Sequence, residues 1–213
     1  MRVLISGTPY KIGRDAGHSY YAKYLGCLTS PRHADYPAAA YFVYGSVWAA
    51  DNDCFIGFDP PAYMRMLQRY QNIPGCVFVT APDVVANARA TLERFVQWQP
   101  IIKAYDYPVA FVLQDGMGQY SMPWNAIDAV FIGGSTEFKL GQYAAGIVLE
   151  ARSLGKWVHM GRVTTNRRMQ YARMLGCNSV DGSSFSRFTK KYVKAQAKPL
   201  KSYNIPLWDG LLC

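Results

Sequence analysis

Short apolar runs alternate along the chain with longer stretches in which apolar residues recur at helical spacing. A run of mostly four or five apolar residues that ends near a Gly, Pro, Asp or Gln predicts a strand. Seven strands are predicted, at 2–6, 41–44 (carried on by 46–50), 76–80, 109–113, 129–132, 157–160 and 179–180. Because these runs are nearly continuous in apolar residues, they are typical of parallel strands covered on both faces.

Helical spacing predicts four helices between the strands, at 59–70, 85–99, 135–154 and from Thr164 or Thr165 to 175. Asp, Ser or Thr caps begin three of them, and Gly176 ends the last. The helix over 85–99 is predicted to turn Leu92, Phe95 and Val96 inward, and to end or kink at Pro100.

The order of strands and helices predicts a single-domain irregular (β/α)8 (TIM-type) barrel over 1–213, with a basic tail from about 185 to 213. The irregular first quarter of the chain has room for an eighth strand. Within it, 10–36 mixes tyrosines with cations, which fits a nucleic-acid surface and a half-buried loop with a short helix equally. A doubly wound open sheet is the alternative fold, which the absence of a G-x-G-x-x-G motif disfavours.

Composition and charge narrow the class of protein. The 213 residues are 50% hydrophobic and 17% charged, which is enough for one substantial core. A formal net charge of +9 favours a polyanionic partner such as nucleic acid. A solvated helix face is the competing interpretation of the basic tail. The cations predicted to contact nucleic acid are Arg162, Arg187, Lys190, Lys191 and Lys194.

The cysteines are five in number and contain no C-x-x-C pair. This pattern favours reduced thiols and argues against a disulfide framework or a cysteine zinc site. The longest apolar stretch, 38–50, is broken and too short to span a bilayer, and the first residues do not read as a signal peptide. We therefore expect a cytoplasmic protein with no metal, no cofactor and no membrane contact.

Polar groups follow five of the predicted strands where each strand ends. In a parallel barrel these ends meet at one mouth, where chemistry collects. Three carboxylates, one amide and open glycine backbone suit a planar heterocycle that has both donor and acceptor edges. The residues are Asp51, Asp83, Gln114, Gly133, Gly134 and Asp181.

Several of these positions have a second interpretation. Asp51 and Asp53 lie in one loop, so one could be a catalytic group and the other a loop former. The glycine pair could cradle phosphate in a barrel enzyme that acts on a small phosphorylated metabolite, but Lys139 is the only cation near it in sequence. His159 is the only histidine near a strand end, so no Ser-His-acid triad is predicted.

The strand-end residues belong to six short motifs that together resemble the tRNA-guanine transglycosylase superfamily. The resemblance is strongest to the small phage and bacterial members that put 7-deazaguanine bases into DNA, and it covers roughly 43–181. The chain lacks the C-terminal cysteine and histidine zinc site of the tRNA enzymes. The motifs are Ala50-Asp51-Asn-Asp-Cys-Phe55, Ala81-Pro-Asp83, Leu113-Gln114-Asp-Gly116, Phe131-Ile-Gly-Gly134, His159-Met-Gly161 and Ser179-Val-Asp181-Gly.

The resemblance implies an irregular (β/α)8 barrel in which Asp181 is the nucleophile and Asp51 the general acid/base. It implies a pentosyltransferase that exchanges guanine in DNA for a 7-deazaguanine such as the 7-cyano derivative. The expected partners are DNA, guanine and the free 7-deazaguanine base, and a monomer in the cytoplasm (the host's, for a phage-encoded enzyme) is favoured. The base is implied to bind at Asp83, Gln114, Gly133, Gly134, Met160 and Gly161.

Elementary chemistry agrees with these implied roles. A carboxylate suits attack at C1′ because the transition state resembles an oxocarbenium ion, and two carboxylates in different environments can divide the nucleophile and acid/base roles. Two alternatives stay open. One is a non-catalytic nucleic-acid or deazapurine-binding barrel that assists a partner, and the other is a tRNA-acting transglycosylase relative.

Overall fold

Eight parallel strands close into a barrel in the order in which they occur along the chain. The computed structural model describes residues 1–6, 22–33 and 46–183. Because β1 also pairs with β8 in parallel, the predicted (β/α)8 barrel is confirmed and the open sheet is excluded. The strands are β1 (Arg2–Ser6), β2 (Leu25–Thr29), β3 (Val47–Ala50), β4 (Cys76–Thr80), β5 (Val109–Leu113), β6 (Ala129–Ile132), β7 (Trp157–Met160) and β8 (Ser179–Val180).

The strand β2 was not predicted, and it is the eighth strand that completes the barrel. Its sequence, LGCLT, is short and contains Gly26, so its strand pattern is weak. The glycine is needed because an added Cβ would lie 2.5 Å from Leu4 Cδ2 and 2.9 Å from the carbonyl oxygen of Val47. The predicted strand at 41–44 lies outside the described residues, whereas its continuation to Ala50 is β3.

Five α-helices are described, and most begin at the caps that the sequence predicts. Asp59 accepts from the Ala62 amide at 2.9 Å, and Thr165 caps the last helix, which ends at left-handed Gly176. The helices are α1 (Pro60–Tyr70), α2 (Ala88–Lys103), α3 (Thr136–Leu140), α4 (Gln142–Ser153) and α5 (Asn166–Leu175).

Two helix predictions were wrong in detail. The helix α2 starts three residues later than predicted and runs through Pro100 to Lys103, because this proline is exposed and water can satisfy the carbonyl that loses its amide partner. Val96, predicted to face inward, is 72% exposed. The single helix predicted over 135–154 is two helices, since the backbone is extended at Gly141.

Side chains alternate along the strands between the inside of the barrel and the layer under the helices. A large outer core fills the space between the strands and helices, and includes Trp48, Tyr63 and Phe111. A smaller inner core combines large and small side chains, so that the barrel is filled rather than hollow. Its buried members are Leu4, Leu28, Ala49, Phe78, Ala110 and Ala129.

The predicted basic tail, with Arg187, Lys190, Lys191 and Lys194, lies outside the described residues, as do 10–21 and 34–36 of the segment 10–36. No helix in the described ranges is long and apolar enough to cross a membrane.

Candidate active site

A cavity of about 70 Å³ opens at the C-terminal ends of the barrel strands. The structure brings together at this cavity Arg162 and all six strand-end residues singled out from the sequence. The described residues that line it are Asp51, Asn52, Phe55, Thr80, Asp83, Val85, Val112, Gln114, Phe131, Gly133, Gly134, Arg162 and Asp181.

The two-residue period of the strands explains why these side chains converge. Ala49 and Ala110 point into the barrel, so the inward positions continue through Asp51 beyond β3 and Gln114 beyond β5. By the same alternation, Asp181 follows the buried Ser179 of β8. The next inward-facing residue after each of these strands therefore lies at the mouth of the barrel.

Asp51 is the carboxylate whose environment changes its acidity most. The pKa of Asp51 is raised from 3.8 to about 7, mainly by burial and in addition by the nearby negative charges of Asp181, Asp53 and Asp83. A hydrogen bond of 2.8 Å from the Asn52 backbone amide to Asp51 Oδ1 lowers this pKa. A carboxyl group with this pKa can give and take a proton near neutral pH.

Asp53 has the other role that the sequence left open, that of loop former. Its backbone is left-handed (φ +58°), and its carbonyl oxygen accepts from the amides of Ile56 at 2.9 Å and Gly57 at 3.0 Å. Its carboxylate accepts from the Arg32 amide at 2.9 Å. These contacts fix the turn that follows β3, and Asp53 does not line the cavity.

Asp83 is held by two buried amides. Its Oδ1 accepts from Asn52 Nδ2 at 2.8 Å and its Oδ2 from Gln114 Nε2 at 2.6 Å. The side-chain oxygen Oε1 of Gln114 accepts from the Ala86 backbone amide at 2.9 Å, which fixes the orientation of the Gln114 side-chain amide. Burial raises the pKa of Asp83, although the two amide donors oppose the rise. One Gln114 N–H and the remaining lone pairs of Asp83 are left for a ligand.

The two glycines at the end of β6 differ in what their amides can do. The Gly133 N–H donates to the Leu113 carbonyl at 3.0 Å, so the prediction that both amides serve a ligand is wrong for this one. A Cβ at Gly133 would lie 3.0 Å from Gln114 Nε2 and 2.8 Å from Val112 Cγ1, so the site needs glycine here. The Gly134 N–H makes no hydrogen bond within the described residues, and its φ of +74° favours glycine.

Thr80 adds a polar group that sequence reasoning missed. Its side chain is almost completely buried and lines the cavity, yet its hydroxyl has no hydrogen-bond partner within the described chain. Buried polar groups without partners are uncommon, because leaving one unpaired costs about 1–3 kcal/mol. A ligand with a polar edge would satisfy this hydroxyl.

Asp181 ends a chain of hydrogen bonds that reaches back through the barrel. Trp157 Nε1 donates to Ser179 Oγ at 2.9 Å, Ser179 Oγ lies 2.8 Å from His159 Nδ1, and His159 Nε2 lies 3.0 Å from Asp181 Oδ1. These residues form a Ser-His-acid series of hydrogen bonds that the sequence did not predict. It does not have the arrangement of a serine nucleophile, because Ser179 is fully buried and the acid lines the cavity.

The exposed part of the lining forms a rim made of Phe55, Val85 and Arg162. The Arg162 guanidinium lies 4.5 Å from the centroid of the Phe55 ring, within cation–π distance. Arg162 Nη2 also donates to the Gly134 carbonyl at 2.7 Å. Arg162 thus ties the rim to the glycine turn.

Met160 and Gly161, implied as base contacts, lie behind the lining rather than in it. Met160 is 1% exposed and packs in the outer core. Gly161 leaves room for the Phe131 ring, since an added Cβ would lie 2.5 Å from it. The buried Lys139 Nζ donates to the Gly161 carbonyl at 3.0 Å, and burial lowers the pKa of this lysine to about 8. Lys139 therefore supports the turn after β7.

The residues that sequence reasoning missed gave weak signals. Asn52, Thr80, His159 and Ser179 are each a single polar residue beside or within an apolar run, which is equally typical of a satisfied core group. Only their position on the inner side of the barrel, which needs the correct strand register, marks them. Among the described residues, no group of three His, Cys, Asp or Glu side chains is arranged to hold a metal ion.

A larger cavity of about 580 Å³ lies at the opposite end of the barrel, at the starts of β1 and β7. The described part of its lining has no carboxylate, and it lies at the end of the barrel that generally serves stability. We therefore assign the chemistry to the smaller cavity. The larger one is lined by Met1, Arg2, Lys23, Tyr24, Trp157, Arg173, Gly176, Cys177 and Asn178.

Comparisons with known proteins do not assign the chain to a family. No protein-family model matches the chain, and no curated protein sequence matches it. Among solved structures, a native KDPGal structure is 16% identical with a TM-score of 0.49, and the alignment covers 92% of each chain. A putative glycerophosphoryl diester phosphodiesterase from Silicibacter pomeroyi DSS-3 is 14% identical with a TM-score of 0.44, covering 80% of this chain and 58% of that one. Both likenesses are weak, so the barrel assignment rests on the strand order.

Proposed function

We propose that this protein is a base-exchange transglycosylase that replaces guanine in DNA with a 7-deazaguanine derivative through a covalent intermediate on Asp181. The observation that carries the proposal is the pairing of two unlike carboxylates at one cavity. Asp51 has a pKa near 7, whereas Asp181 accepts hydrogen bonds from His159 and from the Arg162 amide. One acid and one carboxylate are what a double-displacement exchange requires.

In the first step, an oxygen of Asp181 forms a bond to C1′ of the target nucleotide while the bond from C1′ to N9 of guanine breaks. The bonding electrons leave with the base, and Asp51 gives it a proton. In the second step, Asp51 takes the N9 proton of the incoming 7-deazaguanine, and N9 attacks C1′. The bond from C1′ to the Asp181 oxygen breaks as N9 bonds to C1′, which returns both carboxyl groups to their starting states.

The groups left available in the cavity match a guanine edge. Asp83 accepts from N1–H and the exocyclic amine, while the second N–H of Gln114 and the Gly134 amide donate to the carbonyl oxygen. The unpaired Thr80 hydroxyl adds one more contact. Adenine exchanges these donors and acceptors, so each mismatch leaves a buried group unpaired at a cost of about 1–3 kcal/mol.

The cavity must widen for this reaction. Its volume of about 70 Å³ has room for roughly two water molecules, which is less than a purine needs. The rim residues Phe55, Val85 and Arg162 are the exposed members of the lining, so their displacement admits the base. An aromatic ring and a guanidinium are both suited to stack on an extruded nucleobase.

A nucleic acid as the polymer is supported by charge, and the resemblance to the DNA-acting members of the superfamily favours DNA. The net charge of +9 and the arginine at the rim favour a phosphate backbone. We include the tail cations Arg187, Lys190, Lys191 and Lys194 in the proposed contact with the backbone.

The test is a base-exchange assay with purified protein, duplex DNA and isotopically labelled guanine, which needs no identified deazapurine. We expect label to enter the DNA with the wild-type protein and not with Asp181→Asn, which keeps the size of the side chain but removes the nucleophile. Binding of DNA should be unchanged in the variant. Absence of exchange by the wild type, together with tight DNA binding, would instead support the non-catalytic barrel.

A further inference from the structure

We propose that the two oxygens of Asp181 have separate tasks, with Oδ2 the nucleophile and Oδ1 held by His159 as the spectator oxygen. This inference rests on the proposed function, since it concerns the covalent step. It makes His159 a positioning residue, a role that the motif around it does not assign.

The first observation is an asymmetry in the hydrogen bonds of Asp181. Oδ1 accepts from His159 Nε2 at 3.0 Å and from the Arg162 backbone amide at 3.0 Å. Oδ2 has no hydrogen-bond partner within the described chain. The Asp181 side chain is 17% exposed and lines the cavity, so its unbound oxygen is open to a substrate.

The second observation is that the hydrogen-bond chain orients the imidazole. A carboxylate oxygen only accepts, so the His159 Nε2 that faces it must carry a proton. Trp157 Nε1 only donates, so Ser179 Oγ accepts from it and can donate its own proton to Nδ1 of a neutral ring. The Trp157 indole and the buried Ser179 hydroxyl thus keep one N–H of His159 aimed at Oδ1.

The third observation is that the His159 ring has little freedom to move. The ring is fully buried, and its centroid lies 4.6 Å from that of Phe131 and 5.2 Å from that of Phe78. Both aromatic rings belong to the packed interior of the barrel. A donor held this firmly needs little reorganisation when the charge on its partner changes.

These contacts have a consequence for each half of the exchange. When Oδ2 attacks C1′, Oδ1 becomes the carbonyl oxygen of the ester and keeps both hydrogen bonds. When the incoming base attacks, the electrons of the C1′–Oδ2 bond return to the carboxylate, and the same two donors stabilise the charge that reappears. His159 and the Arg162 amide therefore make Asp181 a good leaving group without transferring a proton to it.

The test compares His159→Phe, which keeps a ring but has no donor, with His159→Gln, whose amide can still donate to Oδ1. We expect kcat for base exchange to fall about 100-fold in His159→Phe, as for loss of one preorganised donor, with KM for the base within about threefold. His159→Gln should retain at least about a tenth of the wild-type kcat.

Equal losses in the two variants would show that a donor to Oδ1 does not restore the function of His159, and would overturn the proposal. A kcat of His159→Phe within about threefold of the wild type would also overturn it. Ser179→Ala gives a second check that leaves the ring in place. This substitution should lower kcat less than His159→Phe does. An unchanged kcat would show that Ser179 does not help to orient His159.

A measurement without any substitution separates this inference from the proposed function. In ¹⁵N-labelled wild-type protein, the His159 resonances should show a proton on Nε2. A proton on Nδ1 alone overturns the inference even if base exchange occurs. A protonated Nε2 in a protein that catalyses no exchange would mean that the contact is correct and the proposed function is wrong.

Discussion

The carboxyl group of Asp51 illustrates how a functional site reduces stability. The group keeps its proton in the folded protein up to a pKa of about 7, whereas in the unfolded chain it loses the proton near 3.8. Between these values the folded state holds the extra proton, so this group makes stability fall as the pH rises from about 4 to about 7. Above a pH of about 7 the carboxylate is charged in both states, so the free-energy cost of burying its charge no longer changes with pH.

We therefore predict that Asp51→Asn is more stable than the wild type at pH 8 and nearly equal to it at pH 4. The gain in the free energy of unfolding should be about 2 kcal/mol at pH 8, because the neutral amide avoids burial of charge and keeps the acceptor for the Asn52 amide. Urea unfolding at both pH values measures it.

Glu93→Gln is the matched control, since it also removes one carboxylate but on the exposed face of α2, where Glu93 pairs with Arg89. Its stability should differ from the wild type by a similar small amount at both pH values. If Asp51→Asn were no more stable than the wild type at pH 8, burial would not raise the pKa of Asp51 as described.

At the scale of elements, the turn after β3 presents apolar side chains to solvent. Phe55 is 66% and Ile56 62% exposed, on a turn fixed by the Asp53 carbonyl. Rigid, exposed apolar residues beside a cavity are typical of a contact surface. In the proposed reaction, a residue of this kind would fill the space that an extruded base leaves in the duplex.

We predict that Ile56→Ala slows base exchange in duplex DNA by about five- to tenfold, because the vacated position in the base stack is no longer filled. Exchange in single-stranded DNA should stay within about twofold of the wild type, since no stack has to be opened. Val96→Ala is the control, because Val96 is as exposed but lies on α2 away from the cavity lining. Equal slowing with both substrates would contradict the role of Ile56.

The elements also show what sequence patterns reveal. Most strands were predictable because continuous apolar runs of four or five residues end at glycine, proline or polar positions, as in β5 and β6. The strand β2 was not, because Gly26 and the small cysteine give it little apolar signal although it packs against Leu4. Likewise Pro100 was expected to limit α2, whereas only its exposed position shows that the helix tolerates it.

At the scale of the whole molecule, the barrel turns residues that are far apart in sequence into one site. The strand-end acids and amide were predictable, because parallel strands place their C-terminal ends together whatever the register. The hydrogen-bond partners of those groups were not predictable from the sequence. The contact between His159 and Asp181 and the contacts of Asn52 and Gln114 with Asp83 depend on which side chains face inward and on how the loops close. Single polar residues in a sequence do not carry that information.

The central claim, covalent base exchange on Asp181, is tested most directly by capturing the intermediate. The full chain is incubated with a short duplex in the absence of any incoming base, denatured, digested with trypsin and examined by mass spectrometry. We predict one guanine released for each covalent complex, and the base-free deoxyribose of the DNA strand attached through C1′ to the peptide that contains Asp181. Exchange of labelled guanine by Asp181→Asn at the wild-type rate, or the base-free sugar attached to a different residue, would contradict the account.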